Sequence, residues 1–374
     1  MGKQRIGILT HYYGSVNYGG CLQAYALTRV LNEMGYTAEQ ISYRKREVAQ
    51  RYSPKAFVKK TVERILLLGA FKSRRRAFAS FRDAIPHSES VYDEETVGEA
   101  ADLYDAFITG SDQVWNFKWY DPAFFLDFVS GDKIKLSYAA SLGSPTLSDM
   151  ERKKMRESLR DFTAISVRER EAISLLSDVT DRAVEWTLDP TLLLSRDKWD
   201  EVASERKVKG RYLFCYFLGR DKRIRTLATE YARRKGLKVV TLPHFPQSFV
   251  KNDLFFGDVR LYGVTPNDFI SLVKNAECVF TDSFHAAVFS NLYEKEFFVF
   301  DRHHASEMSG RILTLLPLFG SEARFCRDAS DFTLSHLMEA EGIECGGDRA
   351  SLLSLVQKSR DFLKNAVENG VINE

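Results

Sequence analysis

Residues 6–27 read IGILTHYYGSVNYGGCLQAYAL, and this stretch decides the class of fold. The apolar run at 6–10 predicts a buried first strand, and a helix follows almost at once. Asn17 can accept hydrogen bonds from the first amides of that helix, while Gly19 and Gly20 let the backbone approach a ligand closely. Free amides and the helix dipole favour a phosphate or carboxylate at such a corner. The alternative is a helix cap whose glycines serve tight packing.

Length and composition predict a folded protein of about two domains. The chain has 374 residues, of which 44% are hydrophobic and 13% aromatic. Its five cysteines are widely spaced and lack the spacing of zinc ligands, so we expect a reducing cytoplasm and no metal. No apolar signal segment follows Met1, which also favours a cytoplasmic location.

One segment, 44–82, holds most of the positive charge. It contains thirteen Lys and Arg against two Glu, although the net charge of the whole chain is only +2. Apolar residues recur in it at helical spacing, which predicts an insertion at about 44–85 made of two helices with a break at Gly69. Either this insertion lies on an anionic membrane surface at the inner face of the membrane, or its apolar face packs on the domain. Because the rest of the chain is acidic and the segment has no recognisable motif, we expect no nucleic acid as a partner.

Alternating strands and helices predict an α/β fold with mostly parallel sheets. We expect two Rossmann-like lobes in a GT-B-like arrangement, with an interdomain cleft and a C-terminal helix that crosses back. The predicted boundaries are 1–195 for the first lobe, 196–210 for a linker, 211–345 for the second lobe and 346–374 for the helix. Predicted strands lie at 6–10, 37–43, 103–109, 134–140 and 164–167, and in the second lobe at 212–218, 238–242, 260–262, 277–282 and 297–300.

Polar residues follow the predicted strands, where ligands of parallel sheets gather. In the first lobe these include Ser111, Asp112 and Gln113, together with Arg168 at the end of a strand. The fork of an arginine suits a phosphate or carboxylate, although a local ion pair with Glu169 or a nearby glutamate is the alternative.

In the second lobe, His285 follows a buried strand at the start of a helix, behind Asp282 and Ser283. Its ordinary pKa suits proton transfer, and Asp282 could orient it; the alternative is a structural histidine that caps the helix. Arg302 and Arg311, grouped with Arg324, are further candidates for contacts with an anion. The two adjacent histidines 303 and 304 are not accompanied by carboxylates that would complete a set of metal ligands, so we predict no metal site.

Seven blocks of sequence together resemble the polysaccharide pyruvyl transferase family. They are NYGGxLQAYAL at 17–27, GSDQxWN at 110–116, YAASxG at 138–143, SVRE at 166–169, DPTL at 189–192, TDSFH at 281–285 and SGRI at 309–312. The resemblance implies a GT-B-like fold and an enzyme that moves the enolpyruvyl unit of phosphoenolpyruvate onto two sugar hydroxyls as a pyruvate ketal. It implies a saccharide acceptor, either a cell-surface exopolysaccharide or a lipid-linked precursor of the cell envelope, and no cofactor besides phosphoenolpyruvate as donor.

The same resemblance suggests roles for the candidate residues. His285 and Asp282 would be catalytic, and substrate would be bound by Asn17, Tyr18, Gly19, Gly20, Ser111, Asp112, Gln113, Arg168, Ser283, Arg302 and Arg311. Two other functions remain open. One is a nucleotide-sugar glycosyltransferase, in which Glu277 or Asp282 would hold the ribose, and the other is a non-catalytic membrane-associated scaffold of glycan assembly.

Overall fold

The computed structural model describes residues 3–46, 68–243, 251–253, 255–302, 309–328, 330–343 and 345–369. The chain forms two compact units. The first unit comprises 1–46, 82–194 and 348–374, and the second comprises 47–81 and 195–347.

Both units are built from strands and helices in alternation. The strands are β1 (Arg5–Leu9), β2 (Thr37–Tyr43), β3 (His87–Tyr92), β4 (Ala106–Thr109), β5 (Ile134–Ala140), β6 (Ala164–Val167), β7 (Val184–Trp186), β8 (Tyr212–Tyr216), β9 (Lys238–Thr241), β10 (Val259–Arg260), β11 (Cys278–Thr281), β12 (Glu296–Phe300) and β13 (Phe325–Cys326). The helices are α1 (Tyr18–Glu33), α2 (Leu68–Arg82), α3 (Asp149–Leu159), α4 (Glu171–Leu176), α5 (Arg196–Asp200), α6 (Lys222–Lys235), α7 (Pro266–Lys274), α8 (Phe284–Leu292), α9 (Ser309–Leu315), α10 (Leu334–Ala340) and α11 (Arg349–Asn369).

The first unit contains a seven-stranded parallel sheet in the order β3-β2-β1-β4-β5-β6-β7. The chain leaves β1 in one direction and returns on its other side as β4, so a topological switch point lies between these two strands. The predicted parallel sheet is confirmed. However, β4 begins at Ala106 rather than 103, because Val97–Leu103 forms a 3₁₀ helix, and the edge strands β3 and β7 were not predicted.

Helix α1 begins where the sequence predicts. Asn17 is its N-cap, and its side chain accepts a hydrogen bond from the amide of Gly20 at 3.3 Å. A Cβ atom on Gly20 would lie 2.9 Å from the carbonyl oxygen of His11, so the packing of this corner requires a glycine there.

The second unit contains a six-stranded parallel sheet in the order β10-β9-β8-β11-β12-β13, with its switch point between β8 and β11. The segment 196–210, expected as a linker, lies within this unit. It begins with α5, whose Trp199 is fully buried and packs edge-on against Phe289 at a centroid distance of 4.9 Å.

Helix α11 belongs to the first unit, as the predicted return of the C-terminal helix requires. The hydroxyl of Ser359 accepts a hydrogen bond from the Leu188 amide at 3.1 Å, and Arg360 donates to the Leu193 carbonyl at 2.9 Å. Phe362 lies against Tyr138 of β5. Strand β1 and helix α11 therefore belong to the same unit.

Of the basic insertion, residues 44–46 and 68–85 are described. In α2, Phe78 and Phe81 are buried, and buried Arg74 donates to the carbonyls of Tyr262 at 3.2 Å and Pro243 at 2.8 Å. This helix thus packs against protein, while the helix predicted before Gly69 lies outside the described residues. Of the helices described, none combines the length and apolarity needed to cross a bilayer.

Candidate active site

Arg168 follows β6 and is surrounded by carboxylates. Its side chain is only 2% exposed; it donates to Asp189 at 2.9 Å and to Asp112 at 3.3 Å, and its Nε lies 3.5 Å from Glu169. Burial alone would lower the pKa of Arg168, but the three carboxylates raise it above its ordinary value. This geometry matches the ion-pair alternative, and it joins loops that follow three different strands.

Ser111 and Gln113 are engaged in the same framework. Ser111 is fully buried, its amide donates to the side chain of Gln23 at 3.0 Å, and its hydroxyl donates to Asp189 at 3.2 Å. The side-chain oxygen of Gln113 accepts from Asn116 at 2.9 Å. Sequence reasoning missed Gln23, because its full burial and its bond to Ser111 appear only in the structure.

The corner at the start of α1 carries a neighbouring negative charge. Asn17 donates to a carboxylate oxygen of Asp112 at 3.4 Å, while Tyr18, Gly19 and Gly20 are buried. A phosphate at the free amides would therefore be close to this carboxylate, which weakens the electrostatic case for an anion at this corner.

His11 was part of the quoted stretch but not among the predicted site residues. It follows β1 at the switch point, the residue is partly exposed, and its ring contacts Phe124 at a centroid distance of 3.9 Å with the two ring planes tilted by 50°. Burial lowers the pKa of His11, whereas the carboxylates of Asp112 and Asp121 raise it, and the balance is a lowered pKa. A histidine directly after the first strand of a parallel sheet is the signal that could have identified it.

In the second unit, Asp282 fixes the turn that follows β8. Its two carboxylate oxygens accept the amides of Leu218 and Gly219, each at 2.7 Å, and Arg302 Nε lies 3.8 Å away. A Cβ atom on Gly219 would come within 2.8 Å of this carboxylate, so the turn needs glycine. Asp282 is thus placed to hold backbone at the switch point of this sheet.

Asp282, Arg302 and Arg311 line one small pocket, together with Asp301 and Phe284. The structure therefore brings together three of the residues predicted for this unit. Arg311 is buried, and the side chain of Arg302 is 21% exposed.

Of the remaining predicted residues of this unit, Ser283 and His285 are next to pocket residues in the sequence, whereas Arg324 is not. His285 is buried and packs edge-on against Phe284, while the Ser283 amide donates to Thr281 at 3.0 Å. Arg324 has a different role, because it pairs with Glu296 and donates to two backbone carbonyls. It holds the strand β12 rather than joining the arginines of the pocket.

Comparison with known families assigns the chain. The family model of the polysaccharide pyruvyl transferases matches residues 17–304, which is well over half of the sequence. The chain belongs to the polysaccharide pyruvyl transferase family. This is a family of transferases, and the match includes every candidate residue except Arg311 and Arg324, which lie beyond its end. His11 also lies outside it, before its start.

Solved structures similar to this pyruvyl transferase family member show the fold. The UDP-GlcNAc 2-epimerase from Methanocaldococcus jannaschii has a TM-score of 0.53 at 11% identity and covers 96% of this chain and 99% of its own. UDP-N-acetylglucosamine 2-epimerase from Rickettsia bellii has a TM-score of 0.53 at 10% identity, with 98% and 97% covered. The S. aureus MnaA structure with UDP has a TM-score of 0.54 at 13% identity, with 98% and 97% covered.

These likenesses confirm the predicted α/β fold of GT-B type and, at such low identity, concern the fold alone. Among the curated proteins, no sequence matches the chain.

Proposed function

We propose that this protein transfers the enolpyruvyl unit of phosphoenolpyruvate onto two hydroxyls of a sugar and forms a cyclic pyruvate ketal. The acceptor would belong to a cell-surface polysaccharide or to its lipid-linked precursor. The observation that carries this proposal is the family match over residues 17–304. The choice of donor and product is the finer step, and it is supported by the chemistry of the second unit.

The reaction balances without any further reactant. Two sugar oxygens form bonds to C2 of the enolpyruvyl unit, and the bond between C2 and the phosphate oxygen breaks. Of the two hydroxyl protons released, one ends on the methylene carbon, which becomes a methyl group, and the other ends on the departing phosphate. The site must therefore bind an anionic donor, deliver a proton to carbon and accept protons from hydroxyls.

The pocket of the second unit suits an anionic donor. Phosphoenolpyruvate carries a phosphate and a carboxylate on three carbons, and two arginines, Arg302 and Arg311, line the same small pocket. Of the carboxylates there, Asp282 already accepts two backbone amides, which partly neutralise its charge toward a ligand. We assign the donor to this pocket.

We assign the delivery of a proton to the methylene carbon to His285. Histidine is the side chain that most often transfers protons in enzymes, and this one directly follows Phe284, which lines the pocket. Asp282 is then a positioning residue that acts through the turn of Leu218 and Gly219.

Binding measurements distinguish this proposal from the alternatives. Calorimetry of the full chain with phosphoenolpyruvate should give a binding heat, and UDP should give none. The reverse result, UDP without phosphoenolpyruvate, would favour a nucleotide-sugar glycosyltransferase, and no binding of either would favour a scaffold. Glu277 is poorly placed to bind a ribose, because it lies at the amino end of β11 and pairs with Arg211 at 3.3 Å.

We also propose that the segment 44–82 contacts an anionic membrane surface. In its described part Lys72, Arg75 and Arg76 of α2 are exposed. Exposed cations next to anionic lipid contribute about 1 kcal/mol each, and salt screens that contribution. Sedimentation with anionic liposomes should therefore pellet the protein at low salt and release it at high salt, and equal recovery at both would contradict this proposal.

A further inference from the structure

The turn that follows β8 in the second unit, turn 218–221, is held from two sides. On one side, the carboxylate of Asp282 accepts two of its backbone amides, each at 2.7 Å. On the other side, the buried side chain of Arg225 in α6 donates to the carbonyls of Gly219 and Asp221, each at 2.9 Å. Charged side chains therefore bind both the amides and the carbonyls of this short turn. None of the roles assigned so far uses Arg225.

The side chain of Arg225 is itself fixed. Its Nε donates to the carboxylate of Asp253 at 2.7 Å, and the two side chains are only 4% and 3% exposed. The guanidinium also lies over the rings of Phe217 and Phe256, at 5.2 and 5.9 Å from their centroids. Because these contacts hold the guanidinium in one orientation, its remaining donors point to the turn in a defined direction.

The buried pair of Arg225 and Asp253 indicates a role beyond stability. Taking two charges out of water is costly, and well-packed apolar residues often give equal or greater stability at such positions. One use of a buried pair is to fix a particular geometry. Here that geometry is the backbone of turn 218–221, since Nη1 and Nη2 of Arg225 bind two of its carbonyls.

Turn 218–221 also supports a side chain of the pocket assigned to the donor. A Cβ atom on Gly219 would lie 3.3 Å from Cγ and 3.5 Å from Cδ of Arg302, so the stem of that arginine packs directly on the glycine. The Nε of Arg302 lies 3.8 Å from Asp282, the carboxylate that holds the amides of the turn. Since Arg302 lines the pocket, a shift of the turn would change the place of this cation there.

We propose that Arg225 is a positioning residue for the binding of phosphoenolpyruvate, which acts through turn 218–221 on Arg302. This inference rests on the proposed function, because it takes the pocket of the second unit as the donor site. In this role Arg225 does not touch the donor. It fixes the turn on which Arg302 packs, so that Arg302 meets the donor in one orientation and loses less conformational freedom on binding.

Arg225→Met tests the proposal in two backgrounds. In the otherwise wild-type protein it should weaken the binding of phosphoenolpyruvate roughly 10-fold by calorimetry, because Arg302 loses its fixed support. In the Arg302→Met background it should change the affinity by less than about 2-fold, since the residue through which it acts is gone. A merely structural role would reduce the affinity equally in both backgrounds. Arg225→Lys should recover part of the affinity, since it keeps the charge but not the fork.

Arg324→Met is the matched control. Arg324 is another buried arginine of the second unit; it pairs with one carboxylate, that of Glu296, and donates to two backbone carbonyls. This variant should lose stability as Arg225→Met does, yet keep the wild-type affinity for phosphoenolpyruvate. If both variants lost affinity equally, with unfolding midpoints lowered alike, the effect of Arg225→Met would be general destabilisation and the inference would be overturned.

Asp253→Asn provides a milder variant in case Arg225→Met does not fold. Asparagine still offers a neutral oxygen to the guanidinium, and the weaker bond should lower the affinity by about 2- to 5-fold, again only while Arg302 is present. Wild-type affinity in the folded variants of Arg225 and Asp253 would overturn the role of Arg225 while the proposed function stands. If the wild-type protein binds no phosphoenolpyruvate, the proposed function fails and this inference fails with it.

Discussion

The carboxyl edges of the two sheets have the same topology but arrange their charged side chains differently. In the first unit, one guanidinium, that of Arg168, lies among the carboxylates of Asp112, Glu169 and Asp189. In the second unit, Arg302 and Arg311 line a pocket together with Asp282 and Asp301. The first edge uses its charges to hold its own loops together, whereas the second places two arginines and two aspartates around a cavity.

An arginine that follows a parallel strand can therefore have either of two roles: it can fix the loops around it, or it can bind an anionic ligand. A buried guanidinium with three carboxylates around it has no charge left for an anionic ligand and instead fixes the loops. A pair of guanidinium groups at one pocket is suited to an anion with two charged groups. The same substitution, arginine to methionine, should therefore have different consequences at the two edges.

The largest effect should follow Arg168→Met. Removing the guanidinium leaves three neighbouring carboxylates uncompensated in a buried site, which should cost about 3–5 kcal/mol in the free energy of unfolding. Urea denaturation measures this loss. The control is Arg170→Met, because Arg170 is exposed and lies over the Trp186 ring at 4.1 Å, a contact worth about 0.5–1 kcal/mol.

The opposite result for Arg168→Met would contradict the contrast between the two sheet edges. If Arg168→Met kept wild-type stability and lost affinity for phosphoenolpyruvate, Arg168 would be an anion contact, as the sequence predicted, and the two edges would be alike. The position of the urea transition and the calorimetric Kd together decide between these outcomes.

At the second edge, Arg311→Met should reduce affinity rather than stability. Loss of a charge-assisted contact of about 1.5–3 kcal/mol weakens phosphoenolpyruvate binding by about 10- to 100-fold. Arg311→Lys should recover part of this affinity, since it restores the charge without the fork. Arg327→Met is the control, because Arg327 is exposed and faces Phe325. If Arg311→Met bound phosphoenolpyruvate with unchanged calorimetric affinity, the donor would not bind in this pocket.

The sequence predicted the parallel sheets because central strands are buried on both faces and appear as apolar runs. It missed β3 and β7, which lie at the two edges of the first sheet. Their sequences, HSESVY and VEW, lack such runs because an edge strand is only partly covered. Strand order and the return of α11 follow from long-range packing, and only the length of that last helix suggested its return.

The sequence identified residues of the site but not the contacts that their side chains make with one another. Arg168 and Asp112 were identified one by one, yet Asp189 lies in a third loop, and no local pattern shows that all three converge. Asp282 was expected to orient His285, but its carboxylate accepts two backbone amides of another loop. Local patterns identify which side chains lie at a sheet edge, while the pairing among them depends on strand order.

The smallest effect should follow Glu277→Gln at the amino edge of the second sheet. Glu277 pairs with Arg211 at 3.3 Å, and their side chains are 46% and 65% exposed. Water screens such a pair, so the free energy of unfolding should change by no more than about 0.5 kcal/mol. Binding of phosphoenolpyruvate should be unchanged, because ligands of parallel sheets bind beyond the carboxyl ends of the strands. A Glu277 variant that lost affinity for UDP would instead assign this residue to a nucleotide ribose and would place function at the amino edge of this sheet.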